Sequence, residues 1–256
     1  MASQRILSAL EKIAPIALGE MDAVKLMNRI DTKYVTTEEV LEKFLLLAAD
    51  NNYRALEIEG KKCCGYDSLY YDTPEQIMYL DHHNKRGFRK KIRVRTYLES
   101  GISFLEIKRK NNHGRTKKKR VECNPDRPFE GDHTDFVQKV SGYSVPTLSP
   151  ACYTRFERIT LVSPTMTERL TIDLTLRFDN VRSGLSSNMG SGVIIELKQE
   201  GHVQTLTKEL LKSLRIKPMR ISKYAIGTAV TDPGIKRNNF LVRIRKIEKI
   251  IKTKIS

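Results

Sequence analysis

The sequence predicts an α+β protein in which an antiparallel β-sheet closes on itself, with helices packed outside and charge turned inward. Three observations predict it. From Phe88, polar and apolar side chains alternate with period two for most of the next hundred residues, the mark of strands with two chemically distinct faces. The polar positions are dense in Arg, which suits bidentate recognition of phosphate, whereas a wetted sheet face usually mixes Thr, Ser, Gln and Lys. Amphipathic stretches at residues 4–14, 37–50, around 130–140 and 204–215 are available to cover the apolar faces, and if they do, the charged faces point into the interior. An ordinary antiparallel sheet with one wet face is the simpler alternative. A closed sheet of about eight strands, however, has room inside for side chains or one small ligand, and a lumen lined by cations needs polyanionic charge to be tolerable.

The elements follow from local pattern. Ile6, Leu7, Leu10, Ile13 and Ala14 fall at helical spacing until Pro15 interrupts them. Arg29 to Val35 alternates as a strand, with Arg29, Asp31 and Lys33 on one face. Thr36 and Glu39 read as a capping box that opens a helix with Val40, Phe44, Leu47 and Ala48 on its apolar face. Tyr53–Glu59 and Tyr66–Thr73 read as extended runs, and Glu75–Asn84 as a short helix or turn. Phe88–Tyr97 sets Arg89, Lys91, Arg93 and Arg95 against Phe88, Ile92 and Val94, and Ser103–Lys110 sets Glu106, Lys108 and Lys110 against Leu105 and Ile107. A hairpin turn with Gly114 leads to the basic strand Thr116–Val121. Arg155 and Glu157 share a face in Tyr153–Leu161, Arg169 and Asp173 oppose Leu170, Ile172, Leu174 and Leu176, and Glu196 and Lys198 oppose Val193, Ile195 and Leu197. Ser183–Gly192 is a Ser- and Gly-rich connection.

Composition narrows the function. The 256 residues suit one generous domain or two small ones. Hydrophobic residues are 39% and charged residues 30%, enough to build a core, and no apolar run nears the roughly 20 residues that span a bilayer. Met1-Ala2-Ser3-Gln4-Arg5 lacks the apolar core of a secretory leader, so the expectation is a cytoplasmic protein. Lys and Arg number 46 against 30 Asp and Glu, a net charge of +16, which points to anionic partners: nucleic acid, anionic lipid, nucleotides or polyphosphates. Cys63, Cys64, Cys123 and Cys152 lack Cys-x-x-Cys spacing and read as reduced thiols. His82, His83 and His113 invite a zinc reading, but adjacent helical histidines point about 100° apart and seldom share one ion.

Nine segments in order carry a family resemblance: Arg29-Ile-Asp-Thr-Lys33-Tyr34, Tyr70-Tyr-Asp72-Thr-Pro74, Lys91-Ile-Arg93-Val-Arg95, Leu105-Glu106-Ile-Lys108, Lys118-Lys-Arg120, Tyr153-Thr-Arg155, Arg169-Leu-Thr-Ile-Asp173, Ile195-Glu196-Leu-Lys198 and Arg220-Ile-Ser222-Lys223-Tyr224. Together they resemble the VTC (vacuolar transporter chaperone) type polyphosphate polymerase domain, of the triphosphate tunnel metalloenzymes, over nearly the whole chain to about residue 230. The resemblance implies a closed eight-stranded antiparallel tunnel that binds ATP by its phosphates with Mn²⁺ or Mg²⁺ and adds the terminal phosphoryl group to inorganic polyphosphate. By position it implies phosphate-binding and catalytic roles for Lys33, Arg93, Arg95, Lys108, Arg155 and Arg169, substrate binding by Lys118, Arg220, Ser222 and Lys223, and metal binding by Glu196. Glu106 and Asp173 either assist the metal or orient neighbouring arginines. Hydrolytic relatives resembling the CYTH group begin with Glu-x-Glu-x-Lys, where this chain reads Arg29-x-Asp31-x-Lys33, a change that favours polymerisation over hydrolysis.

A tunnel-type triphosphatase and a non-catalytic polyphosphate- or nucleic-acid-binding module are the alternatives. Cations at period two in separated strands, 7% aromatic content and no Trp argue against nucleic acid, whose single-strand binders favour stacking platforms. Residues 1–232 are expected to form the tunnel domain and 233–256 a basic amphipathic C-terminal helix. That helix carries Leu241, Ile244, Ile247 and Ile251 among Arg243, Arg245, Lys246, Lys249 and Lys252. Either it docks on its own domain or it meets a partner, a membrane-embedded one included, or the inner membrane surface.

Overall fold

The computed structural model describes residues 1–23, 29–112, 115–201 and 203–255. His113, Gly114 and the side chain of Arg29 lie outside the described residues. The strands are β1 (Ala14–Ile16), β2 (Arg29–Thr37), β3 (Arg54–Leu56), β4 (Cys63–Asp72), β5 (Arg89–Tyr97), β6 (Ser103–Lys110), β7 (Thr116–Glu122), β8 (Ser149–Val162), β9 (Glu168–Asn180), β10 (Ser186–Asn188) and β11 (Gly192–Glu200). The helices are α1 (Gln4–Glu11), α2 (Glu38–Asp50), α3 (Ile77–His83), α4 (His133–Ser141), α5 (Leu206–Ser213), α6 (Lys223–Thr231) and α7 (Asn238–Ile251).

Eight strands form one antiparallel path, β2-β11-β9-β8-β4-β5-β6-β7, and curl into a half-barrel. The short β1, β3 and β10 hang from it, β1 parallel to β3, β3 on β8 and β10 on β9. Among the described residues no ladder joins β7 to β2. The free edge of β2 is covered instead by the segment before α6. There Met219 N donates to Lys33 O at 2.7 Å, and Pro218 bridges Tyr34.

Three apolar layers fix which face of each strand is wet. On the outside, α1, α2 and α5 cover residues such as Ile159, Leu161, Ile172, Ile195 and Leu197, and α4 covers Ile92, Val94, Leu105 and Ile107. Each such residue removes about 1.5–3 kcal/mol of apolar exposure, so the opposite parity must face inward. The third layer packs against one end of the sheet's inner face. Val35 and Ile194, which share parity with Lys33 and Glu196, pack with Phe178 against α6 and with Phe240, Ile244, Ile247 and Ile251 of α7. The apolar stripe of α7 is therefore spent on its own protein. No helix among the described residues is long and apolar enough to cross a membrane.

A bulge in β9 makes this end cap fit. Leu174 faces the outer layer, yet Leu176 and Phe178 face α6, because Thr175 at φ 53° inserts an extra residue opposite β8 and reverses the alternation. Helix α6 then approaches so closely that a Cβ on Gly227 would lie 2.6 Å from the Phe178 ring.

Several local expectations shift. The N-cap of α2 is Thr37, whose Oγ1 accepts from Val40 N at 3.4 Å, while Thr36 stays in β2. Of Tyr53–Glu59 only Arg54–Leu56 is strand, β4 starts at Cys63, and the 183–192 connection holds the short β10. Helix α6 carries no strong helical stripe in sequence. Its start is set by Ser222, whose Oγ accepts from Ala225 N.

Candidate active site

Alternation turns one row of each long strand into the half-barrel. Lys91, Arg93 and Arg95 on β5 and Glu106 and Lys108 on β6 share the face opposite the α4 layer. Register sets Arg93 beside Glu106 and Lys91 beside Lys108. Lys118 and Arg120 on β7 continue it, opposite Lys108 and Glu106. Across the interior, Lys33 on β2 pairs in register with Glu196 on β11, and Asp31, Lys198 and Arg169 form the next row.

Three carboxylates organise most of these cations. Glu106, fully buried, accepts from Arg93 (Nε at 2.8 Å, Nη2 at 2.5 Å) and from Lys118 Nζ at 2.9 Å, while Arg93 Nη1 also donates to the Tyr70 hydroxyl at 2.9 Å. Burial opposes charge on Glu106, but Arg93, Arg95 and Lys118 outweigh it and hold its pKa well below the carboxylate range. Asp173 accepts from Arg158 at 2.6 and 3.0 Å and pairs closely with Lys223; against the cost of burial these two cations also hold it ionised. Glu106 and Asp173 are thus committed to orienting cations.

Glu196 differs. It makes no hydrogen bond among the described residues, and its oxygens face Lys33 at 3.8 Å and Lys198 at 3.6 Å. Burial raises its pKa less than Lys33, Lys198, Lys108 and Lys223 lower it, so it is ionised. Several cations are undercompensated. Lys108 makes no hydrogen bond or ion pair among the described residues, and burial, with Arg93 adding to it, depresses its pKa strongly. Lys198 and Lys223 are pushed down to about 8, and Arg95, held by Ser68 Oγ at 3.1 Å, to about 10, in each case mainly by burial. Preformed cations that are costly to keep charged are what a polyanion would neutralise.

The interior therefore gathers Lys33, Arg93, Arg95, Lys108, Lys118, Arg169, Glu196 and Lys223 of the residues expected from sequence. Ser222 borders it, accepting from Lys91 Nζ at 2.8 Å as well as capping α6. Arg220 is exposed where the α6 segment begins. Arg155 is a correction. It lies on the outer face, where it pairs with Asp67 at 2.9 Å and with Asp179, and its side chain is 42% exposed. The reason is parity: Arg155 shares its face with Ile159 and Leu161, which the outer helices cover, so the charged alternation there runs along the outside.

Arg158 occupies the interior instead, bound to Asp173 and stacked near Tyr66. Sequence reading missed it, along with Lys91 and Lys198 as site residues. Parity measured against Ile159 and Leu161 would have found Arg158. Among the described residues, His83 bonds Asn84 and Asn238, and His82 packs on Phe240. Tyr70 stacks on Tyr224 and Tyr71 packs edge-on against Phe129.

A divalent cation fits this donor set in one way. No three His, Cys, Asp or Glu residues among the described ones converge, but Glu196 presents an ionised carboxylate free of hydrogen bonds toward the cationic interior. A hard cation taking one carboxylate and filling its shell with phosphate oxygens and water matches that arrangement.

Comparison with known proteins agrees with the architecture. The sequence profile of the VTC domain family matches residues 28–231. No curated protein matches the chain. Among solved structures, a putative adenylyl cyclase from Hippeastrum, described as having a dominant triphosphatase activity, aligns with TM-score 0.51 at 15% identity, over 79% of this chain and 96% of its own. Putative adenylate cyclases from Bacillus halodurans (TM-score 0.48, 15% identity, 77% of this chain, 96% of theirs) and Vibrio parahaemolyticus (0.47, 12%, 79%, 98%) are more distant. At such identities the likeness is one of fold.

Proposed function

Since this chain belongs to the VTC domain family, we propose that it is a metal-dependent polyphosphate polymerase that transfers the γ-phosphoryl group of ATP to a growing inorganic polyphosphate chain. The observation that carries the reading is the convergence of cations from β2, β5, β6, β7, β8, β9, β11 and α6 on an interior with too few carboxylates to neutralise them.

Phosphoryl transfer passes through a loose transition state with charge spread over the non-bridging oxygens, so catalysis consists of alignment and neutralisation. Arg93 and Lys118, aimed by Glu106, and Arg158 and Lys223, aimed by Asp173, hold donor phosphates in a fixed frame. Lys108, Lys33 and Arg95 take up the charge that develops on the transferring group. The terminal oxygen of polyphosphate forms a bond to the γ-phosphorus, the bond from that phosphorus to the β,γ-bridging oxygen breaks, and ADP leaves with the electron pair. The attacking oxygen is already ionised, so no general base is needed. Glu196 would hold a divalent cation, Mn²⁺ or Mg²⁺, which would supply further neutralisation of phosphate charge.

Hydrolysis of triphosphates is the second reading, favoured by the activity described for the Hippeastrum neighbour. Purified protein with ATP and Mn²⁺ should give gel-resolved long polyphosphate and ADP, while Glu196→Gln and Arg93→Ala should stay folded and lose synthesis by about 10²-fold or more. Orthophosphate as the sole product at every protein concentration would move the assignment to a triphosphatase.

A further inference from the structure

Cations crowd the end of the half-barrel beside α6 and α7, and among the described residues the carboxylates acting on them are few, Asp81 on Arg89 and Glu196 on Lys108. Across β5 and β6, Arg89 stands directly opposite Lys110 and Lys91 opposite Lys108, a like-charge pairing that destabilises a sheet unless something offsets it. Arg220 precedes Ser222, which Lys91 contacts. Arg243 on α7 lies over Phe240, whose ring packs on His82 and His83 of α3. None of these six cations joins an ion pair among the described residues, and Asp81, the carboxylate acting on Arg89, is taken by Arg86 at 3.3 Å. The repulsion is mutual: Arg243 and Arg220 both disfavour charge on Arg89, and Arg89 and Arg220 disfavour it on Lys110, after burial has done so. His82, buried beside Lys91, Arg89 and Arg243, is neutral and leaves its Nδ1 without a partner.

We propose that Arg89, Lys110, Arg220 and Arg243 form a second phosphate-binding station that grips the body of a linear polyphosphate while its reacting end lies among Arg93, Lys108 and Glu196. The inference rests on the polyphosphate reading above and adds to it a preference for long chains. Arg89 is four residues along β5 from Arg93, about 13 Å in an extended strand, a span that a triphosphate does not bridge and a longer chain does. Arg243 lies outside the residues 28–231 that the family profile matches, so this station draws on the C-terminal helix of this chain. That helix buries its apolar stripe and sets Arg243 near Arg89, which gives the tail a role in substrate binding without a membrane.

The test compares the full chain with a variant carrying Arg89→Gln, Lys110→Gln and Arg243→Gln. Calorimetry would measure binding of tripolyphosphate, of linear polyphosphate several tens of phosphates long, and of single-stranded RNA of matched charge. Long-chain affinity should fall by at least about tenfold in the variant, as expected for lost charge-assisted contacts, with tripolyphosphate affinity unchanged and RNA bound more weakly than polyphosphate by the parent. Unchanged long-chain affinity overturns the station. Parallel loss of tripolyphosphate makes these residues part of the triphosphate seat, and RNA bound as tightly as polyphosphate makes them a general nucleic-acid surface; either result overturns it too. A parent chain that binds neither phosphate ligand removes the polyphosphate reading itself, a distinguishable failure. Should the triple variant not fold, Arg243→Gln alone, on a half-buried position of α7, gives the same comparison.

Discussion

Arg155 and Arg158 are three residues apart on β8 and face opposite ways. Arg158 meets a fully buried Asp173 inside the half-barrel, with its charge reinforced by that carboxylate against the cost of burial. Arg155 spans Asp67 and Asp179 in partial contact with water, where ion pairs contribute about 0–1 kcal/mol. Arg158→Ala should therefore lower polyphosphate synthesis about 10²-fold, whereas Arg155→Ala should leave it close to the parent and cost at most about 1 kcal/mol in urea unfolding. Equal loss in the two variants would mean that the outer face takes part in the reaction. The three carboxylates divide in the same manner: Glu106 and Asp173 are saturated by guanidinium and ammonium donors, whereas Glu196 faces its lysines at 3.6 and 3.8 Å without a hydrogen bond among the described residues.

Among the elements, α6 has the most influence on the site. It starts at Ser222, which bonds Lys91, carries Lys223 into the interior, and is anchored by Tyr224. The Tyr224 hydroxyl donates to Asp72, and the same carboxylate accepts from Met78 N and Tyr79 N at 2.9 Å each, so α3, β4 and α6 are tied at one buried point. The seat of α6 on the sheet depends on Gly227 facing Phe178. Gly227→Ala inserts a methyl where the ring already stands, and such overpacking costs about 1–3 kcal/mol. Urea titration should show that loss, with lower synthesis as Lys223 is displaced. A stable, fully active Gly227→Ala would show that the helix moves freely away from β9, contrary to the packing described.

For the whole molecule, part of the cationic excess behind the +16 charge is buried, where it is costly. Lys198 and Lys223 have pKa values near 8 against an unfolded value near 10.5. Between about pH 8 and 10.5 the unfolded chain holds more protons than the folded one, so the contribution of these groups to stability rises with pH across that window. Below pH 8 both are charged and their burial is a net cost. A polyanion reverses the balance by favouring their charged forms. Tripolyphosphate should stabilise the fold by about 2.7 kcal/mol at 100 times its Kd, and at about pH 8.5 its binding should take up protons, measured by calorimetry in buffers of different ionisation heat. Heat that is independent of buffer would show that these lysines do not meet the ligand.

The sequence by itself determined the long strands, the abundance of cations at alternate positions and the motifs that mark the family, because alternation is local and each long strand carries its own record of two faces. It located Lys33, Arg93, Arg95, Lys108 and Glu196 on strands whose other face is plainly apolar. Only the tertiary structure decided which face of β8 is inside, since Arg155 alternates with Arg158 and the deciding neighbours, Ile159 and Leu161, are covered by helices from distant parts of the chain. It also decided that the β9 bulge turns Phe178 inward, that α6 forms without a strong helical pattern, and that α7 buries its stripe in the end of the half-barrel. Those outcomes depend on contacts between segments far apart in sequence, and a local pattern holds no information about its partner.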